Sequence, residues 1–306
     1  MHPVNLLSVA VALASFGSAA CIRDEASIQA TEPKYLFIFG DSYTRTNFDI
    51  AGTKPSLKNP LGNPGWPGVT SSGGKNWVAH TLTDRLVSKY KNDTLTYNFA
   101  VSGATVDRAI TGSKPKSTVT EQVKIWDNNL KNKPSYAKWT SSNAAVGVWI
   151  GINDIGSTYM KSNTEEILTK VVDKYFSLLE HLYNSGVRKF FLIKVPPTNR
   201  TPLMRNRGSA TVKNVTEAVT FYNNYLDKKT TKWRGHHSDL KVKLVETHAS
   251  FNTALDNPTK YGSKDNKCTN SDGKTCLWKD SYHPGIEIQK LVGFQVKDAL
   301  RDIGIW

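Results

Sequence analysis

Tyr35-Leu36-Phe37-Ile38-Phe39-Gly40-Asp41-Ser42 decides how this chain is read. Its first five residues are apolar throughout, without the alternation of a strand that faces water on one side, and a glycine then ends the run. A continuous apolar strand of this kind suits a parallel sheet covered on both faces. Runs rich in β-branched and aromatic residues recur at Thr96 to Phe99, Val146 to Ile150, Phe190 to Val195 and Val242 to Val245. Between them lie segments with helical spacing. Val78, Leu82 and Leu86 make one, and Ile167, Val171, Tyr175, Leu178, Leu179 and Leu182 make a clearer stripe that stops near Gly186. Val215 to Leu226 and Ile286 to Leu300 read as further helices. Alternating strands and helices predict an α/β domain with right-handed crossovers and a mainly parallel sheet of about five strands. A ligand then binds beyond the carboxyl ends of the strands. Asn47 to Gly74, rich in Gly, Pro, Asn and Ser, interrupts the alternation and reads as an insertion loop at the rim of the site.

Chemistry-bearing residues fall where such a sheet would expose them. Ser42 stands two residues beyond the end of the first run. Alone, a Gly-Asp-Ser triplet is weak, since chance yields one in roughly every ten chains of this length. Asp280 and His283 are three apart and are followed by Pro284, Gly285 and a helical pattern, so one turn can bring both to the same site. His283 can accept the Ser42 proton while Asp280 fixes the imidazole tautomer and stabilises its cation. Ester hydrolysis also needs donors aimed at the developing oxyanion. Gly103 and Asn153 each follow a predicted strand, and the expected donors are the Ser42 and Gly103 backbone amides and the Asn153 side-chain amide. Nothing in this chemistry requires a metal or an organic cofactor. There is no Gly-x-Ser-x-Gly elbow, no phosphate-binding loop and no His-Glu-x-x-His. His236, His237 and His248 lack metal-ligand spacing and read as surface or structural residues.

At 306 residues and 39% hydrophobic, the chain can bury one large core, and no repeat or low-complexity linker divides it. Residues 1–20 carry no Lys, Arg, Asp or Glu, and the largely apolar run from Leu6 to Phe16 ends in Gly17-Ser18-Ala19-Ala20. That pattern reads as a secretory signal peptide, leaving 21–306 as a single domain. The run is too short to span a bilayer, and no later stretch reaches about 18 apolar residues. Asn92, Asn199 and Asn214 open Asn-x-Ser/Thr triplets, which are candidate N-glycosylation sites in an exported protein. Cys268 and Cys276 enclose a short polar segment that a disulfide can tie in an oxidising compartment, while Cys21 lies at the expected cleavage point. The formal charge of +14 is scattered, with small clusters at Lys228-Lys229, Lys232 and Arg234 and at Lys241 and Lys243. Scattered charge serves solubility, so no nucleic-acid partner is expected.

The motifs, in this order, resemble the SGNH or GDSL-type hydrolase superfamily. The resemblance extends over Phe39 to Thr44, Asn59 to Pro64, Gly103 to Asp107, Gly151 to Gly156, Val195 to Pro197 with Pro202 to Met204, and Asp280 to Gly285. That wider pattern is similar to secreted fungal acetylesterases of carbohydrate esterase family sixteen. Tyr43 stands where the superfamily's usual name has Leu. The resemblance implies a flavodoxin-like three-layer α/β/α sandwich and hydrolysis of acetyl esters on plant cell-wall oligosaccharides. It implies Ser42 as nucleophile, His283 as base, Asp280 as its partner, and Gly103 and Asn153 as oxyanion donors. Two other functions remain open from sequence: a lipase or phospholipase for longer acyl chains, and a non-catalytic secreted binder of acidic glycans using Trp66, Trp77 or Tyr282. Acyl length, sugar position and oligomeric state are not written in these residues.

Overall fold

Among the described residues, the apolar runs form strands of one parallel sheet: β1 (Lys34–Gly40), β2 (Thr94–Asn98), β3 (Ala144–Trp149), β4 (Lys189–Ile193) and β5 (Lys241–Val245), ordered β2-β1-β3-β4-β5. The computed structural model describes Met1, residues 32–87 and residues 93–306, and residues 32–306 form one compact unit. The expected signal segment, Cys21 and Asn92 lie outside the described residues.

Helices fill the intervals: α1 (Trp77–Val87), α2 (Arg108–Thr111), α3 (Val119–Asn129), α4 (Ile152–Gly156), α5 (Thr164–Asn184), α6 (Pro202–Asn206), α7 (Ser209–His236), α8 (Thr247–Leu255) and α9 (Ile286–Asp302). On one side α1 packs on α9, and on the other α5 packs on α3 and α7, which gives the three-layer α/β/α arrangement expected from sequence. Continuous burial explains the strand composition, because β1 to β4 are covered on both faces. Phe37 of β1 packs edge-on against Trp126 of α3 and against Trp139, with ring centroids 5.6 and 5.7 Å away. Truncating a fully buried aromatic such as Trp126 removes packing worth ~3–5 kcal/mol.

The chain leaves β1 for β2 on one side and returns to β3 on the other, so the strand order reverses between β1 and β3. Helices leaving the carboxyl ends of strands to either side of this point open a crevice there. Ser42 follows β1 and Asn153 follows β3 directly at that crevice.

The 47–74 excursion packs in part along the edge of the sheet. Its carbonyl at Pro60 accepts from the Thr96 amide of edge strand β2 at 2.8 Å, and Phe48 packs edge-on against Tyr97 and Phe99. Unpaired edge amides need partners, and this loop supplies one for Thr96. Helices α3 and α8 had no sequence expectation; Thr118 opens α3 with a capping box closed by Glu121.

Candidate active site

Ser42 sits on a tight turn held from several elements. Gly40 has φ near +156°, and a Cβ there would stand 2.5 Å from the Trp149 carbonyl, so only glycine lets β1 pass this close to the end of β3. The Gly40 amide donates to Gln122 Oε1 at 2.9 Å while Gln122 Nε2 donates to the Gly40 carbonyl at 2.8 Å. Further along the turn, the Asn76 and Asn98 side chains donate to the Thr44 carbonyl, and Gln289 Nε2 donates to the Tyr43 carbonyl at 3.2 Å. Sequence reasoning missed Gln122 and Gln289. Each lies among buried apolar residues of its helix, and an amide on an apolar face is the signal that could have found them.

The second half of the site is the turn before α9. The Asp280 carboxylate accepts from the backbone amides of Tyr282 and His283 at 2.9 and 2.8 Å, and from His283 Nδ1 at 2.8 Å. His283 Nε2 lies 2.9 Å from Ser42 Oγ. Partial burial raises the Asp280 carboxyl, but the two amides and the imidazole outweigh it, and the net shift is below the ordinary carboxylate value. With the ring proton on Nδ1, the imidazole donates to Asp280 and its Nε2 accepts from the serine hydroxyl. The Tyr43 hydroxyl donates to the Tyr282 carbonyl, tying the serine turn to the histidine turn.

Gly103 has φ +76° and is exposed, with nothing within 4 Å of where a Cβ would be. Among the described residues, neither the Ser42 nor the Gly103 backbone amide makes a hydrogen bond. Asn153 Nδ2 donates one hydrogen to the Ala104 carbonyl at 2.9 Å, which orients the amide and leaves the other hydrogen free. Gly103, Asn153 and Tyr282 line one open cavity of about 440 Å³.

Two buried carboxyls support these donors from behind. Asp154 Oδ1 accepts from the Val106 amide at 3.0 Å, fixing the segment that carries Gly103, and Asp41 Oδ1 accepts from the Tyr43 amide at 2.9 Å. Burial, reinforced by Asp154, pushes Asp41 up to about 7, and burial does the same to Asp154, in each case against the amide it accepts from. The Oδ2 of each is buried without a hydrogen-bond partner, consistent with a proton on it near neutrality.

The other sequence candidates are dispersed. Cys268 and Cys276 form a disulfide with Cα atoms 5.3 Å apart. Asn199 lies in a 3₁₀ turn (Thr198–Arg200) and Asn214 in α7, both half-buried. Trp77 is only 1% exposed and donates its indole N–H to Thr44 Oγ1, so the suggested glycan contact there is a core residue instead. Trp66 is half-buried beneath Lys75. Among the described residues no cluster of His, Cys, Asp or Glu could hold a metal, and no helix is long and apolar enough to cross a membrane.

Comparison with known proteins places this architecture. Residues 36–296 match the family described as GDSL-like lipase/acylhydrolase. An acetylesterase of Thermothelomyces thermophilus is 43% identical over 96% of this chain and 97% of its own length. A second acetylesterase, from Hypocrea jecorina, is 26% identical over 73% of this chain, which spans 62% of that protein. In fold, the chain is similar to an acetylxylan esterase from Geobacillus stearothermophilus, with a TM-score of 0.51 at 16% identity over 89% of this chain and 95% of that one. The chain belongs to the GDSL-like lipase/acylhydrolase family of ester hydrolases.

Proposed function

We propose that this chain is a secreted serine acetylesterase that removes acetyl groups from plant cell-wall oligosaccharides. The observation that carries the reading is the hydrogen-bonded series Ser42–His283–Asp280 beside two backbone amides with no internal partner. The 43% identical relative named acetylesterase supports the choice of acyl group, and the apolar Leu6 to Phe16 run and the Cys268–Cys276 disulfide support export.

In this reading His283 takes the Ser42 proton as Oγ attacks the ester carbonyl. The Ser42 and Gly103 amides and the free Asn153 hydrogen receive the developing oxyanion. His283 then protonates the leaving alcohol, and water hydrolyses the acetyl-enzyme by the same route. Ionised Asp280 stabilises the imidazolium in both halves of the cycle.

The test is product analysis on acetylated xylooligosaccharides beside an acyl-length series on an activated alcohol. Acetate release from the oligosaccharides, with rates falling steeply from acetyl to octanoyl, is expected. A preference for octanoyl would make the protein a lipase, and binding of acidic glycans without turnover of any ester would make it a non-catalytic binder.

A further inference from the structure

The cavity beside the oxyanion donors is too large for an acetyl group alone. A methyl group is about the size of a water molecule, whose share of liquid volume is roughly 30 Å³, whereas the cavity holds about 440 Å³. Gly103 and Asn153 stand in its wall, so the part of a substrate that fills it adjoins the carbonyl held by those donors. Most of that volume therefore receives the alcohol portion of the substrate.

Its charge is one-sided. Lys114 and Arg207 line the cavity, and no Asp or Glu does. Both cations are exposed, and among the described residues neither has a carboxylate partner. Nearby cations contrast with them: Arg200 pairs with Asp256 at 2.6 Å, Arg205 Nη1 donates to Asn266, and Lys161 Nζ donates to the Thr111 carbonyl. Arg207 Nη1 donates to the Tyr159 hydroxyl at 3.0 Å, which orients the guanidinium and leaves its other donors open. A guanidinium fixed at one corner presents paired N–H groups suited to a carboxylate, and the formal charge of +14 draws anions toward it.

We infer that the cavity binds an alcohol bearing a carboxylate, so that the preferred substrates are acetylated oligosaccharides substituted with a uronic acid, held by Arg207 and Lys114. This rests on the acetylesterase reading above and names its substrate class.

Two acetylated xylooligosaccharides differing only by a 4-O-methylglucuronic acid side group separate the possibilities. At low salt, kcat/KM should favour the acidic substrate on the order of tenfold, as charge-assisted bonds to a fixed arginine allow. Raising NaCl to about 0.5 M should shrink the ratio below about threefold, because exposed charges are screened. In the Lys114→Gln/Arg207→Gln double variant the ratio should fall to about one at low salt. Since the readout is a ratio within one preparation, partial misfolding does not imitate it, and the salt series on the unaltered protein stands without the variant. A low-salt ratio near one, or a high ratio that survives the double substitution, overturns the inference alone. Failure to hydrolyse any acetyl ester, 4-nitrophenyl acetate included, overturns the acetylesterase reading and this one with it.

Discussion

Gln122 on α3 grips both main-chain polar groups of Gly40, accepting from its amide at 2.9 Å and donating to its carbonyl at 2.8 Å. All partners are buried, so Gln122→Ala leaves an amide and a carbonyl unsatisfied and should cost about 2 kcal/mol or more. Because Ser42 lies two residues further on, kcat should fall with stability. Chemical denaturation and acetyl-ester kinetics on the same preparation check both, and an unchanged kcat would detach Gln122 from the serine turn.

Ser42→Ala should reduce acetyl-ester turnover by at least ~10³-fold without changing the melting temperature by more than a few degrees. The side chain is small and its hydroxyl bonds only to His283. Turnover retained within tenfold would remove Ser42 as the nucleophile.

Asn153→Ala should slow kcat on the order of 10² to 10³-fold with a smaller effect on KM, since its free amide hydrogen acts on charge that develops only in the transition state. A change below about threefold would deny it that role.

Asp280→Asn keeps an oxygen for the Tyr282 and His283 amides but turns the imidazole to the wrong tautomer, and kcat should fall by roughly 10³ to 10⁴-fold. Near-normal turnover across pH 6 to 9 would count against the assignment.

Asp41 and Asp154 give the stability a definite pH dependence. Both carboxyls are raised from 3.8 to about 7 by burial. Between about pH 4 and 7 the folded protein keeps protons that the unfolded chain has released, so their contribution is full at the acid end and is lost as pH rises through the folded value. Asp154→Asn mimics the protonated acid. From pH 4.5 to 7.5 the parent should lose ~1 kcal/mol or more of unfolding free energy beyond what the variant loses. Parallel urea-melt stabilities for the two proteins would show that Asp154 is ionised throughout.

Strands β1 and β3 were legible because double burial leaves an uninterrupted apolar run, and the boundaries moved by only one or two residues. Ser42, Gly103, Asn153 and His283 were legible as residues at strand ends and on one turn before a helix. Their supporting contacts were not. Gln122 to Gly40 spans 82 positions and Gln289 to Tyr43 spans 246, and no local pattern encodes a partner at that separation. The packing of loop 47–74 on β2 was hidden for a related reason: its composition marks a loop, while the strand it covers depends on which one ends at the edge of the sheet. The cationic cavity was equally hidden, since Lys114 follows β2 and α2 while Arg207 follows β4 and α6, and only the folded sheet brings those two loops to one cavity.

That loop also bears on how the protein behaves when crowded. At one margin of the sheet Pro60 occupies an outward amide of β2, and at the other Lys241 and Lys243 stand exposed along β5. Each margin thus carries a feature that disfavours strand addition by another copy. Shortening 47–74 would uncover that amide of β2 and should raise the tendency of this edge to pair with another copy.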